Sequence, residues 1–347
     1  MPSSSQCLFE FQNEAGEVAM NKVRSWRLTI ALALLGFIAG NSARAETIRV
    51  GAQKTGTFGW QLDVIARHGL ARENGLDLEI YEFASPDSGK LALNGGTVDV
   101  AIVDWLWVVR ERALGRAIKY YPYSTAVGAV MVKADSPMRE LSDLKGRSLA
   151  VAGGALDKSW LIVRAAAKRR GLDLQRETSL MFGAPPLLYE KLRQGEVDAN
   201  LNFWNFCAKL EAQGYRKLYD VRAALAELGV AQPIAMIGYA FSETFAAAHP
   251  RTVERFLAAA HEADRILLQS DSEWETLRPL MNAEDQATFE AYRATTRAAI
   301  PRRSIGAEEA DARRLFRTLA EIGGVELVGP SQELDEGLYY RPSVPGN

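Results

Sequence analysis

The chain has 347 residues, of which 48% are hydrophobic and 24% are charged, and this is ordinary usage for a globular protein. The composition excludes a disordered chain, a collagen-like chain and a small disulfide-stapled domain, and two cysteines with three histidines are too few for a zinc cluster. The net charge is −2, so no excess of basic residues favours binding to nucleic acid.

Residues 1–45 have the pattern of a secretion signal. A basic stretch over residues 22–27 precedes an apolar run over residues 28–39, and an A-x-A arrangement ends at Ala45. This order predicts a signal peptide cleaved after Ala45 and a periplasmic mature protein. An uncleaved anchor is the alternative, but the apolar run is shorter than the roughly 20 residues that span a membrane. Met20 begins a normal signal peptide and is an alternative translation start.

The segments after the signal alternate between strand and helix patterns. Strand patterns over residues 47–52, 76–83 and 98–103 enclose helix patterns over residues 60–74 and 90–94. This β-α-β-α-β order predicts a parallel sheet covered by helices.

The same plan returns further along the chain. Strand patterns over residues 148–152, 178–182 and 197–202 enclose helix patterns over residues 160–170 and 186–194. The last strand of each set carries a similar motif, GTVDVA from Gly96 and GEVDA from Gly195. The repetition predicts two similar lobes.

Two apolar runs, over residues 126–133 and 233–240, are expected to cross between these lobes. After the second run, helices are predicted over residues 242–270, 283–298 and 307–322. The predicted fold class is α/β, with two lobes that each contain a mostly parallel sheet flanked by helices, joined by two crossing hinge strands. Lobe I is predicted over residues 46–125 and 240–347, and lobe II over residues 126–239. The ligand is then expected between the lobes, at the carboxyl ends of the strands.

Four segments carry a resemblance to a known family. They are LALNGGTVDVA over residues 91–101, DSP over 135–137 with LSDLKGR over 141–147, LRQGEVDA over 192–199, and HP over 249–250 with Val253 and Phe256. In this order they resemble the periplasmic solute-binding proteins of ABC transporters, of the nitrate/sulfonate/taurine and thiamine-pyrimidine type. The resemblance implies a type II two-lobed fold and a protein that hands a small molecule to a membrane permease.

Tryptophans fall just after predicted strands, at positions that are expected to face the cleft between the lobes. They are Trp60, Trp105, Trp107, Trp160 and Trp204, whereas Trp274 lies elsewhere. Core packing is the alternative role for each ring taken alone. Together they predict aromatic surfaces for a ligand that is flat, cationic or both.

Acidic and amide residues share those loops. Asp87 and Asp157 are candidate ligand contacts or helix N-caps, Asp104 has no evident capping role, and Asn202 and Asn205 are candidate hydrogen-bonding groups. Three carboxylates argue against a doubly charged anion and place a sulfonate ligand in doubt. A metal or metal complex held by the three aspartates is a weaker variant, since hard cations prefer several oxygen ligands.

The catalytic candidates are few. The three histidines are widely separated, Cys207 fits a buried small residue better than a nucleophile, and no G-x-S-x-G, Walker or H-E-x-x-H pattern is present. The sequence therefore predicts a monomeric binding component of an ABC importer, without enzymatic activity, cofactor or metal, whose partners are a small organic ligand and a permease. The alternative is a periplasmic enzyme or a sensor-associated ligand reader on the same fold.

Overall fold

The computed structural model describes residues 45–54, 56–331 and 333–343. The predicted signal region, residues 1–45, lies outside these ranges except for Ala45. No helix within them is long and apolar enough to cross a membrane.

Ten strands form two five-stranded sheets. The strands are β1 (Glu46–Gln53), β2 (Leu76–Phe83), β3 (Val100–Asp104), β4 (Ile118–Ser124), β5 (Ala129–Val132), β6 (Ser148–Ala152), β7 (Ser179–Gly183), β8 (Ala199–Asn202), β9 (Arg216–Asp220) and β10 (Ile237–Ser242). The first sheet has the order β2-β1-β3-β10-β4 and the second has the order β7-β6-β8-β5-β9. We call the two sheets, with their flanking helices, lobe I and lobe II.

The two sheets have the same topology. In lobe I, β1 pairs in parallel with β2 and β3, and β10 pairs antiparallel with β3 and β4. In lobe II, β6 pairs in parallel with β7 and β8, and β5 pairs antiparallel with β8 and β9. The antiparallel strands β5 and β10 are those that the chain forms directly after each crossing. The predicted fold class, two similar α/β lobes, is confirmed.

The repeated V-D motif has the same structural role in both lobes. Asp99 accepts a hydrogen bond from the backbone N–H of Arg49 at 2.8 Å, and Asp198 accepts one from the backbone N–H of Ser148 at 2.8 Å. In both lobes the carboxylate joins the turn before one strand to the neighbouring parallel strand. The shared contact explains why the motif recurs.

Helices cover both faces of the sheets. They are α1 (Phe58–Arg67), α2 (Leu70–Glu73), α3 (Pro86–Asn94), α4 (Trp105–Ala113), α5 (Lys158–Arg169), α6 (Leu174–Glu177), α7 (Pro185–Gln194), α8 (Trp204–Ala212), α9 (Val221–Glu227), α10 (Glu243–Ala248), α11 (Pro250–Gln269), α12 (Asp271–Met281), α13 (Gln286–Ala299), α14 (Ile305–Gly323) and α15 (Val325–Val328), with a 3₁₀ turn at Leu141–Leu144.

The C-terminal helices differ from their prediction. The single helix expected over residues 242–270 is two helices, because Pro250 lacks a backbone N–H and begins α11 at its first position. Helix α12, which carries Trp274, was not predicted. Pro279 lies inside this helix and weakens the helical pattern of the sequence.

Only parts of the two apolar crossing runs are strands. Residues 125–128 carry the chain from β4 to β5 without strand structure, and residues 228–236 carry it from α9 to β10. At Gly128 a Cβ atom would lie 1.8 Å from the carbonyl oxygen of Asn202. The crossing therefore requires glycine, because two backbone segments approach too closely for any side chain.

One hydrophobic core extends across both lobes on the side of α14 and α15. It joins Trp105 of lobe I and Trp160 of lobe II to Phe316 of α14, all of them almost fully buried. A second core fills the space between the lobe I sheet and helices α1, α11, α12 and α13. The first core holds the carboxyl ends of the parallel strands of the two lobes opposite each other.

Candidate functional site

A cleft lies between the lobes at the carboxyl ends of the parallel strands. Its lobe I wall comes from the segments after β1, β2 and β3, and its lobe II wall comes from the segments after β6, β7 and β8. The cavity volume is about 100 Å³. This is the place where ligands bind in open α/β sheets.

The lobe I wall contains a buried ion pair. Asp104 caps α4, because its Oδ1 accepts a hydrogen bond from the backbone N–H of Trp107 at 2.8 Å, and its Oδ2 lies 2.9 Å from Nζ of Lys90. Burial opposes ionisation of Asp104, but the charges of Lys90, Arg110 and Lys158 outweigh it and hold the pKa below its ordinary value. Burial likewise opposes the charge of Lys90, and Asp104 overcomes it to raise the pKa of that ammonium. Both groups are therefore charged.

The lobe II wall contains a second, looser pair. Asp157 caps α5 by accepting a hydrogen bond from the backbone N–H of Ser159 at 2.8 Å. Burial raises the pKa of Asp157 above its ordinary value, against the opposing charge of Lys158. Nζ of Lys158 lies 3.9 Å from Oδ2 of Asp157, beyond hydrogen-bond distance, and 4.8 Å from the ring centroid of Phe203.

The side chain of Lys158 is only 8% exposed. In the part of the chain that the structure describes, its ammonium lines the cleft and makes no hydrogen bond to a protein acceptor. A buried ammonium has three donors and gains most from a charged acceptor. The cleft therefore offers an unfilled donor to whatever occupies it.

Aromatic rings form a further part of the lining. Phe58 and Tyr123 meet edge to face, with centroids 5.6 Å apart, and Trp204 contacts Trp60 edge to face at 6.1 Å. Such contacts hold the rings in place before a ligand arrives. Phe203 lies opposite, beside Lys158, so apolar and charged surfaces adjoin.

Six helices begin at the cleft, namely α1, α3, α4, α5, α7 and α8, and they differ in their caps. Helices α4 and α5 are capped by Asp104 and Asp157, whereas Thr57 before α1 and Phe203 before α8 form no side-chain cap. The N-terminus of a helix carries partial positive charge and favours negatively charged groups. The uncapped ends of α1 and α8 therefore add to the positive potential at the cleft.

The NMT1/THI5-like family model matches residues 64–273, more than half of the chain. The chain belongs to the NMT1/THI5-like family. Its fold is also that of solved periplasmic binding proteins. The aliphatic sulphonate binding protein SsuA of Escherichia coli has a TM-score of 0.64 and 23% identity, over 83% of this chain and 95% of that one.

Two further structures are similar. The alkanesulfonate-binding protein SsuA from Xanthomonas axonopodis pv. citri, bound to MOPS, has a TM-score of 0.65 and 21% identity over 83% of this chain and 96% of that one. A Candida albicans protein with the generic periplasmic binding protein fold has a TM-score of 0.59 and 15% identity over 84% and 92%. No match was found among curated proteins. The resemblance to periplasmic solute-binding proteins seen in the sequence is confirmed.

Four of the candidate residues from the sequence line the cleft. They are Asp104, Asp157, Trp204 and Asn205. The expectation that Asp104 has no capping role is wrong, since it caps α4. Each of the two aspartates combines a cap hydrogen bond with an adjacent lysine, and this pairing removes the excess negative charge on which the prediction of a cationic ligand depended.

The other predicted residues lie outside the cleft lining. Trp105 and Trp160 are 1% exposed and belong to the shared core, because the first turn of each helix directs them under the sheet rather than toward the cleft. Asn202 is buried and holds local backbone, donating to the carbonyl of Pro185 at 3.1 Å. Trp60 packs beneath Trp204, and Asp87 points to solvent with its side chain 70% exposed.

The metal variant fails on geometry. In the described ranges, no three His, Cys, Asp or Glu side chains come together in a way that could hold a metal ion. Asp87 is exposed and lies 3.5 Å from Nζ of Lys90, the lysine that also pairs with Asp104, so an ammonium already lies between these two carboxylates.

Lys90, Lys158, Phe58 and Tyr123 line the cleft and were not among the predicted site residues. One signal could have identified Lys158. It occupies the first position of α5, where the helix dipole disfavours a cation. A lysine at that position, directly after a capping aspartate, indicates a role other than helix stability.

Proposed function

We propose that this protein is the periplasmic ligand-binding component of an ABC importer and that it captures a small organic anion. The ligand has a sulfonate or carboxylate head group and an apolar body. The head group accepts hydrogen bonds from Lys158, and the body contacts the aromatic lining.

The observation that carries the proposal is the unfilled donor on Lys158. The ammonium faces the cleft with no acceptor at hydrogen-bond distance, and an anionic oxygen of the ligand would supply a charged acceptor for it. Lys90 does not have this property, because Asp104 accepts from it at 2.9 Å.

The charges around the cleft support an anion rather than a cation. Lys90 offsets Asp104, and Lys158 faces Asp157, whose raised pKa favours its neutral form relative to an exposed aspartate. Arg110 adds a further positive charge near both aspartates, where it donates to the carbonyl of Leu156 at 2.9 Å. The uncapped ends of α1 and α8 act in the same direction.

The similar proteins support the same class of ligand. Two solved structures are described as binding proteins for aliphatic sulphonates or alkanesulfonates. A binding role is favoured over an enzymatic one, because none of the three histidines lines the described cleft and Cys207 is buried.

Binding of two probes of matched size and opposite charge tests the proposal. Isothermal titration calorimetry compares benzenesulfonate with phenyltrimethylammonium, which represents the flat cation that the sequence suggested. We expect benzenesulfonate to bind and phenyltrimethylammonium to bind at least tenfold more weakly. Preference for the ammonium probe would contradict the anionic class.

The variant Lys158→Met tests the residue that carries the argument. Loss of a hydrogen bond to a charged group costs about 1.5–3 kcal/mol, so benzenesulfonate affinity should fall by roughly 10- to 100-fold. Lys168→Met is the matched control, because Lys168 is an exposed lysine on the same helix. Equal affinities of the Lys158 and Lys168 variants would show that the head group binds elsewhere. Thermal unfolding without ligand verifies that both variants fold.

The cellular location of the protein and the chemical fate of its ligand test the transport role. The processed protein should appear in the osmotic-shock fraction with Glu46 at its N-terminus, as mass spectrometry can establish. Benzenesulfonate should be recovered unaltered after prolonged incubation with the protein. Conversion of the probe, or retention of the chain in the cytoplasm, would favour the enzymatic alternative.

A further inference from the structure

A second space opens from the cleft toward the outside of the molecule. It lies between the β1–α1 segment of lobe I, the first turns of α7 and α8 in lobe II, the end of α12 and the middle of α13. Its volume is about 500 Å³, compared with about 100 Å³ for the inner cleft. We call it the outer compartment.

The outer compartment is continuous with the cleft. Gln53 and Gly56 of lobe I and Asn205 and Phe206 of lobe II line both spaces. These four residues form the passage between them. A ligand held at Lys158 in the cleft can therefore extend through the passage.

The lining of the outer compartment is mixed: the charged residues Lys54, Asp63, Glu82 and Lys209 line it together with a group of large apolar residues that suits an apolar chain. Trp60 of α1 and Met281 of α12 contribute large apolar side chains. Ile80 and Leu280 also line it and are 46% and 47% exposed, although both are large hydrophobic residues. Apolar surface grouped around a cavity indicates a binding surface, because burial of that surface by a ligand is favourable.

The inner cleft alone is small for an organic ligand. Pockets for small organic molecules usually enclose about 300–1,000 Å³. The cleft falls below this range, whereas the outer compartment lies within it.

From this geometry we infer that the site has two compartments and that the ligand is an elongated organic anion. Its head group lies in the cleft, and an apolar tail of several carbons lies in the outer compartment. The inference rests on the proposed function for the head group, whereas the tail site rests on the outer compartment itself.

Gly59 provides a way to close the outer compartment without touching the cleft. It lines only the outer of the two spaces, and a Cβ atom built on it meets nothing within 4 Å. The variant Gly59→Phe should therefore fold normally and fill the space. Gly306→Phe is the matched control, since a Cβ at Gly306 also meets nothing within 4 Å and this residue lies near the start of α14.

The experiment measures calorimetric affinities for two probe series below their micelle concentrations. One series is ethane-, hexane- and decanesulfonate, and the other is the trimethylammonium ions with the same alkyl chains. In the series that binds, we expect affinity to rise about two- to fourfold for each methylene that enters the outer compartment. Gly59→Phe should reduce affinity for the longest member at least tenfold and change affinity for the shortest less than twofold.

The outcomes separate the two proposals. Binding of the ammonium series alone would overturn the anionic head group, while its chain-length dependence and its response to Gly59→Phe would still support the outer compartment. Affinity independent of chain length, or equal loss of short and long probes in Gly59→Phe, would overturn the two-compartment site. Absence of binding by both series would contradict both proposals.

Discussion

The ionisation of the largely buried carboxyl of Asp264 should make the stability of the fold depend on pH. Asp264 lies on α11 beneath the cleft, and its Oδ1 accepts a hydrogen bond from Nε2 of Gln61 at 2.6 Å. The side-chain carbonyl oxygen Oε1 of Gln61 accepts a hydrogen bond from the hydroxyl of Tyr239 at 2.7 Å. Burial raises the pKa of Asp264 to about 7, and the hydrogen bond from Gln61 opposes this only in part. We predict that Asp264→Asn stabilises the protein at alkaline pH.

The direction follows from proton linkage. The folded state holds the proton of Asp264 to higher pH than the unfolded chain, in which an aspartate has a pKa of about 3.9. Stability therefore falls as pH rises from about 4 to about 7. The cost to folding is about 1.5 kcal/mol at pH 5 and about 4 kcal/mol at pH 8, as upper limits because the side chain keeps some exposure to solvent.

Urea unfolding at pH 5 and pH 8, followed by circular dichroism, measures the effect. From pH 5 to pH 8 the free energy of unfolding of the wild type should fall by up to about 2.5 kcal/mol more than that of Asp264→Asn. Asp77→Asn, which removes an exposed carboxylate, controls for the change in net charge. Parallel pH dependence of the wild type and Asp264→Asn would refute the argument, because it would mean that Asp264 ionises equally in both states.

Three other outcomes follow from the packing. Gly128→Ala should lower the free energy of unfolding by about 1–3 kcal/mol or more, because its Cβ would lie 1.8 Å from the carbonyl oxygen of Asn202. Gly306→Ala, whose Cβ meets nothing within 4 Å, should leave stability unchanged. Equal melting temperatures of the two variants would contradict this prediction. Cys207 should react with Ellman's reagent only after unfolding, because burial raises the pKa of its thiol to about 12, and rapid reaction of the native protein would show an open site. Trp274→Ala should lower the free energy of unfolding in urea by about 3–5 kcal/mol, because this ring is fully buried. The folded variant should bind benzenesulfonate with unchanged affinity.

Local patterns in the sequence were sufficient to predict the duplicated α/β architecture. Strand and helix periodicities depend on short-range spacing, and the repeated V-D motif marks equivalent strands in both lobes. The same reasoning located the edge of the sheets where Asp104, Asp157 and Trp204 line the cleft. These features follow from chain order, because parallel strands place their carboxyl ends together.

The direction of each side chain and its partners was decided by the tertiary structure. Trp105 lies in the core, whereas Asp104 directly before it lines the cleft, because Asp104 is the extended last residue of β3 and Trp105 is the first residue of α4. The charge at the site likewise depends on the approach of Lys90 from α3 to Asp104 from β3, a contact between separate elements. The sequence by itself therefore determined the two lobes and the position of the cleft. Only the packing of helices from different parts of the chain decided which charges face the ligand, since contacts between distant residues leave no local periodicity.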